Sequence, residues 1–478
     1  MNQLQESQIS YHRRRVEELR AVRNPWESEW RGLADYIEPS RLRLTARNER
    51  PSSRVKILDS TGTFSLSTLK NGMHSGLTSP ARPWFKLAPA DDGLKKFGPV
   101  KVYLADVEAR MRKLFRQSNV YTAFHLGYGD LGQYGQSCGL LVEDEQHTIR
   151  MIQLVHGQFW LARDHKGRAT TVYRTFRWSV QRIIERFGWA NVGERLQTLY
   201  NSNKYSDLFD VWHAVEPRAN RDPRKIDKKN MPFLSNYWLD ERAGNVLLEE
   251  SGFPENPIIA PPWEISADDH YSLSPAMIAL GDVKMLQTEQ MRKLEGIDKK
   301  VRPPMTGPMS MKNNPASLLP GSITYVDDPT GKGYRPAIEV NFDLGELRED
   351  ISEVQQRVKT TMYADLFFAI SQMEGIQPRN DMEISERKEE KLLQLGPVLE
   401  NVYNGQLEPT IDRAYAIMNR NRMLPPPPPE LHGMKLNVEY TSMLAQAQQA
   451  VSIGAIERVY SFAGQISAVD PTVLDNLD

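Results

Sequence analysis

The sequence predicts an α+β chain, predominantly α, built from more than one structural module. Three observations carry that reading. Apolar residues recur at three- and four-residue steps at the N-terminus and through most of the second half, the period of an amphipathic helix. Short apolar runs bounded by glycine and turn residues fill the stretch from about 140 to 240, the pattern of strands. Finally, 478 residues are more than a single core ordinarily serves.

The first helix spans residues 1 to about 40: Val16, Leu19, Trp26, Trp30, Leu33 and Ile37 share one stripe, and Glu38-Pro39 ends it. Residues 56–90 read as short apolar segments broken by Gly and Pro, closing on Arg82-Pro83-Trp84-Phe85-Lys86-Leu87. A second helix, about 102–115, is carried by Leu104, Val107, Met111 and Leu114. The period then changes. Strand-like runs are expected near 140–142, 149–154, 158–162 and 170–176, with a hairpin turn at His165-Lys166-Gly167-Arg168. Ser179 caps a short helix holding Val180, Ile183, Ile184 and Phe187. Further strand-like pieces lie at 209–215 and 237–239, separated by a basic loop at 218–229.

The second half opens at Ser274-Pro275, a cap residue followed by proline at the first helical position. That helix runs to about Gly296 or slightly beyond, and Pro303-Pro304 stops it. About 40 residues rich in Pro, Gly, Met and Asn follow, with a strand expected at 322–326. Asp343 and Glu346 then start a long helix whose stripe is Leu347, Ile351, Val354, Val358, Met362 and Leu366. Two long helices joined at their tips by a non-helical excursion are the main architectural clue. A third long helix opens at Asn380 and Glu383 and is expected to kink at Pro397 and Pro409. The run Pro425 to Pro429 ends it as a stiff spacer, and a last helix rich in Ala and Gln occupies about 443–462.

Charge excludes one class. With 60 Lys+Arg against 61 Asp+Glu, the chain lacks the basic excess of a protein that grips nucleic acid by its phosphates. Contact with DNA must be local or weak. Cys138 is the single cysteine, which rules out an internal disulfide and fits a reducing compartment. His12-Arg13-Arg14-Arg15 is followed by no apolar run, and no stretch nears ~18 apolar residues. A soluble protein with neither signal peptide nor membrane span is expected.

Enzymatic motifs weigh little. Gly135-Gln136-Ser137-Cys138-Gly139 fits a nucleophile elbow, but that motif needs strand before and helix after. Here the order reads helix then strand, so a glycine-rich turn is the better reading. Gly331-Lys332-Gly333 lacks the spacing that wraps phosphates. Asp268-Asp269-His270 are neighbours on a loop, and the nine histidines form no H-x-x-x-H pair. No catalytic residue, cofactor or metal is expected. The basic loop reads as a plain exposed turn, and the pair Trp26 and Trp30 as core.

Four stretches, in order, resemble the head-to-tail connecting (portal) family of short-tailed bacteriophages. They are Ile57-Leu58-Asp59-Ser60-Thr61-Gly62 with Pro83-Trp84-Phe85; Tyr134-Gly135 through Val142 with Thr175-Phe176-Arg177-Trp178-Ser179; Ser274-Pro275 through Asp282 with Pro303-Pro304; and Leu395-Gly396-Pro397 with Leu407-Glu408-Pro409, the proline run, Val438-Glu439-Tyr440 and Ala445-Gln446-Ala447. Relatives usually continue past the position of Asp478. The resemblance implies a dodecameric ring around a DNA channel, with a wing (1–270), a first stem helix (271–300), a clip (301–342) and a second stem helix (343–370). A channel loop and kinked wing helix (371–440) and the start of a crown (441–478) would follow. It further implies that Gln372, Met373, Glu374, Gln377, Arg379 and Asn380 face DNA, and that Arg302, Lys312, Lys332 and Arg335 form a clip docking surface. Implied partners are further copies of the chain, double-stranded DNA without sequence specificity, the terminase large subunit, tail adaptor or tube proteins, and the major capsid and scaffold proteins. The implied location is the virion head–tail junction, after assembly in the host cytoplasm. The alternative is another head–tail adaptor or minor capsid protein. Residues 343–370 carry three basic and six acidic side chains, a balance that suits a low-friction channel, although a solvated helix face gives the same count.

Overall fold

The computed structural model describes residues 2–44, 56–240, 244–266, 269–302, 305–306, 335–336, 344–371, 395–431 and 436–446. The first helix, α1 (Asn2–Tyr36), carries Pro25 inside it. The segment expected as broken apolar pieces is instead a 17-residue helix, α2 (Thr61–Leu77). Its glycines are contact positions rather than breakers. A Cβ on Gly72 would stand 2.2 Å from the Phe367 ring, and one on Gly76 would stand 2.8 Å from Leu444. The cost of glycine in a helix is about 1 kcal/mol, which close helix packing offsets.

After β1 (Phe85–Pro89) come α3 (Gly98–Gln117) and α4 (Val120–Tyr134), the latter ended by Gly135 in the left-handed region at φ 72°. Then follow β2 (Gly139–Asp144), β3 (Thr148–Gln153), β4 (Phe159–Arg163) and β5 (Ala169–Ser179). Two short helices, α5 (Val180–Phe187) and α6 (Glu194–Asn201), precede β6 (Leu208–Pro217), β7 (Phe233–Leu239), β8 (Leu247–Phe253) and β9 (Ile258–Ile259). Ser179 caps α5 as its sequence suggests, its Oγ accepting from the Arg182 amide at 3.4 Å.

Strands β4 to β8 form one antiparallel sheet in sequence order, and β3-β2-β9 form a second. Alternation sorts the larger sheet's side chains onto two faces. Trp160, Tyr173, Ala214 and Trp238 pack with Ile9, Val16 and Leu19 of α1. Val211, Leu239 and Leu248 pack with Ile183, Phe187 and Leu196 of α5 and α6. The β6–β7 loop holding the basic residues is surface, with Ile226 fully exposed and Lys229 paired to Glu250 at 3.1 Å.

One buried group on the α1 face makes stability depend on pH. His12 Nε2 accepts from the Asn236 amide at 3.0 Å and Nδ1 meets the Tyr173 hydroxyl at 2.8 Å. Burial holds its pKa down to about 4. The unfolded chain takes up this proton near pH 6.5, so the stabilisation is intact above that value and is lost as pH falls toward 4. The slope is about 1.4 kcal/mol per pH unit. Urea unfolding at pH 7.5 and 5 is expected to show a smaller acid loss in His12→Gln than in the parent.

Candidate functional site

The architectural clue from the sequence resolves into a helix pair. Helix α7 (Pro275–Val301) begins as expected, with the Ser274 hydroxyl accepting from the Met277 amide at 3.0 Å and donating to the Gln133 carbonyl at 2.8 Å. Its partner is α8 (Leu344–Thr361). Arg357 of α8 reaches Asp282 of α7 at 3.2 Å, while Asp350 faces Glu289. Position rises along one helix as it falls along the other, so the pair is antiparallel. Between the helices, β10 (Met305–Thr306) and β11 (Arg335–Pro336) form an antiparallel pair, which brings the outgoing and returning chain together at the helix tips.

The pair is held from inside the molecule. Val283 and Leu286 of α7 and Ile351, Val354 and Val358 of α8 share a core with Trp30, Leu33 and Ile37 of α1. The stripe on α7 then outruns its cover: Met291, Leu294, Ile297 and Val301 continue it at helical spacing but are exposed.

The second long helix is not continuous to 370, as its stripe suggests. It breaks at Met362–Tyr363, where Tyr363 adopts φ 55°, and restarts as α9 (Ala364–Ser371). Local polar groups favour the break: the Thr360 hydroxyl donates to Asp365 at 3.2 Å, and the Asp365 carboxylate accepts from the Leu366 amide at 2.9 Å. The elbow also moves the stripe between cores. Met362 packs with α7 and α1, whereas Leu366 and Phe367 pack with α2, α3 and α4. The third long helix is described from 395 onward as α10 (395–402), a π-turn at Tyr403–Leu407 and α11 (Glu408–Arg420). The irregularity falls just before Pro409, whose missing N–H the sequence predicts will disturb the helix. Segment 436–440 forms β12, which pairs with β1 across the molecule.

A polar clamp locks α7 to α8. Asp59, inside the first quoted motif, is buried and accepts from Thr61 N at 2.8 Å, Gln290 Nε2 at 3.1 Å and Gln355 Nε2 at 2.8 Å. Gln287 Oε1 accepts from the amides of Leu58 and Asp59 at 2.6 and 2.8 Å. Burial alone would push the Asp59 carboxyl up, but the donors from Thr61, Gln355 and Gln290 outweigh it and hold its pKa below the usual value. Asp59→Ala would strand these buried donors and is expected to cost about 2–3 kcal/mol in denaturant unfolding. Asp59→Asn, which keeps an acceptor, is expected to cost less.

Beside the clamp two carboxylates, Glu289 of α7 and Asp350 of α8, face each other. Glu289 is only 9% exposed, and neither carboxylate oxygen has a hydrogen-bond donor among the described residues. Burial and the facing Asp350 push its pKa up. Glu346, Glu349 and Glu353 lie on the exposed side of α8.

The other sequence-derived candidates fall as follows. Arg302 ends α7 and is exposed, and Arg335 lies in β11 opposite Thr306. Lys312, Lys332, Gln372, Met373, Glu374, Gln377, Arg379 and Asn380 lie outside the described residues, as do the strand expected at 322–326, the start of the third long helix and most of the last. Ser137 sits on a helix-to-strand turn, is buried, and its Oγ accepts from Gln153 Nε2 at 3.0 Å. No histidine is bonded to it among the described residues. Its neighbour Cys138 is buried, and burial pushes its thiol up. No group of three or more His, Cys, Asp or Glu is placed to hold a metal among the described residues. Likewise, no described helix is long and apolar enough to cross a membrane. Sequence reasoning missed Gln287, Gln290 and Gln355, since a polar residue inside an amphipathic helix carries no local sign of a partner more than two hundred positions away.

The site is a structural joint between helices. Residues 11–478 match the family model described as "Bacteriophage head to tail connecting protein". The portal protein of Salmonella phage epsilon15 is 40% identical over 469 residues, covering 97% of this chain and 84% of that protein. The "Probable portal protein" of Bordetella phage BPP-1 is 40% identical over 466 residues, covering 96% and 83%. Among solved structures, a chain from the neck of an empty gene transfer agent (GTA) particle aligns at 11% identity and a TM-score of 0.37, over 85% of this chain and 86% of that one. The chain therefore belongs to the bacteriophage head-to-tail connecting protein family, the portal proteins of phage virions, which are structural components rather than enzymes by family.

Proposed function

We propose that this chain closes into a dodecameric ring at the head–tail junction and that the α7–α8 pair lines its DNA channel. The observation that carries the reading is the antiparallel pair itself. It is buried on the side facing α1, acidic on the exposed side of α8, and ends in an uncovered apolar stripe on α7. A neighbouring copy would cover that stripe, and a closed ring satisfies such head-to-tail contacts without open ends. The acidic face would keep a passing duplex from binding tightly, because each phosphate neutralised adds affinity and friction.

Within this reading the segment 301–342 is the clip, with Arg302, Lys312, Lys332 and Arg335 meeting the terminase large subunit and later the tail adaptor or tube. Residues 1–270 form the wing toward the capsid and scaffold proteins, residues 371–440 carry the channel loop, and residues 441–478 begin the crown. Assembly takes place in the host cytoplasm.

Charge reversal tests the channel assignment. Glu346→Lys, Glu349→Lys and Glu353→Lys together should leave assembly intact, slow DNA passage in a packaging assay, and give duplex binding that weakens steeply with salt. Unchanged packaging and unchanged duplex affinity would remove α8 from the channel wall.

A further inference from the structure

We propose that the cleft between the β4–β5 turn and the Tyr403–Leu407 π-turn binds a phosphate group, gripped by Arg163 and Lys166. The cleft measures about 340 Å³ and is lined by Arg163, Lys166, Arg168, Asn256, Asn401 and Asn404 among its polar residues. No acidic side chain lines it among the described residues.

Arg163 supplies the main argument. Among the described residues its guanidinium donates to neutral oxygens: Gln136 Oε1 at 2.6 Å and the carbonyls of Gly167, His270 and Ala260 at 3.0, 3.3 and 3.4 Å. Arg23, Arg41 and Arg413 meet carboxylates, on Glu27, Asp130 and Glu255, while buried Arg174 donates to His213 Nδ1 and the Tyr237 hydroxyl. A mostly buried cation without a counter-charge is costly, and burial pushes the Arg163 guanidinium down to about 10. Those four bonds leave one N–H of its five to spare. Lys166, on the adjacent turn, has no carboxylate partner among the described residues. Arg168 contributes less, because Asp164 holds it at 3.0 Å.

The walls are fixed in place. Asn256 Nδ2 donates to the Ala169 carbonyl at 2.8 Å and Asn401 Nδ2 to the Trp263 carbonyl at 3.0 Å. Gly405 lets the π-turn close on the opposite wall, since a Cβ there would stand 2.9 Å from Pro261 Cα. Two uncompensated cations on a rigid wall suit a doubly charged phosphate group better than a single carboxylate. A small free phosphate carries such a group, and a nucleic-acid backbone presents phosphate oxygens with one charge per phosphodiester.

Thermal unfolding of the full chain in inorganic pyrophosphate, against sodium chloride of equal ionic strength, tests the site. A parallel titration with a short DNA duplex distinguishes the source. Saturable stabilisation is expected, with the half-saturating concentration raised about tenfold in Lys166→Glu and in Asn404→Asp. Both variants change exposed positions and should fold, whereas Arg163→Gln removes four structural bonds as well. Stabilisation by the duplex alone, lost in the same variants, assigns the phosphate to nucleic acid. No saturable effect of either probe, or an effect undiminished in Lys166→Glu, would overturn the proposal.

Discussion

Arg41→Met is expected to lower the unfolding free energy by about 3–5 kcal/mol, the usual cost of removing one partner from a buried ion pair. Arg41 Nε donates to Asp130 Oδ1 at 2.9 Å, its Nη2 donates to Oδ2, and Gln153 adds a donor to the same carboxylate at 3.2 Å. Asp130 is almost fully buried. Burial pushes its pKa up, and Arg41 is the main influence pulling it back. Without the guanidinium, the carboxyl must take a proton or stay charged in the core. A raised folded pKa means that stability is retained below the unfolded value, near 4, and lost as pH rises. The variant's deficit should therefore be larger at pH 8 than at pH 5. Arg41→Met combined with Asp130→Leu should recover most of the loss. A single variant within about 0.5 kcal/mol of the parent at pH 8 would show that this pair does not hold α4 to the chain after α1.

Gly72→Leu is expected to cost about 3 kcal/mol or more, because α2 and α9 meet where even a Cβ would overlap the Phe367 ring. Helix propensity acts the other way, since leucine is a better helix former than glycine by about 1 kcal/mol, but the overlap is the larger effect. Gly281 on α7 is the matched control. A Cβ there meets nothing within 4 Å, so Gly281→Ala should stabilise by about 0.5–1 kcal/mol. Denaturant midpoints of the two variants moving in opposite directions would establish that α2 glycines serve packing. Equal, small shifts would contradict the tight α2–α9 contact.

The contrast between these glycines also explains what was legible in the sequence. Stripes of apolar residues and the cap at Ser274 placed α1, α3, α7 and α8 because helix periodicity is a local signal. Helix α2 was hidden, since a glycine that breaks a helix and one that admits a neighbour look alike until the neighbour, Phe367 or Leu444, is known. The elbow at Tyr363 was hidden because Met362 and Leu366 keep one stripe while serving different cores. The β1–β12 pairing joins Phe85 to Tyr440, a separation no local pattern encodes. Asp59 stood in a quoted motif, but its role needed Gln290 and Gln355, which only folding brings to it. At the site itself, the helix pair was legible and its clamp was not.

In the proposed function these helices belong to a ring. The mass and shape of the purified protein, by light scattering with negative-stain microscopy, test it most directly. Particles of about a dozen subunits with an open centre are expected. A stable compact monomer at micromolar concentration would contradict it.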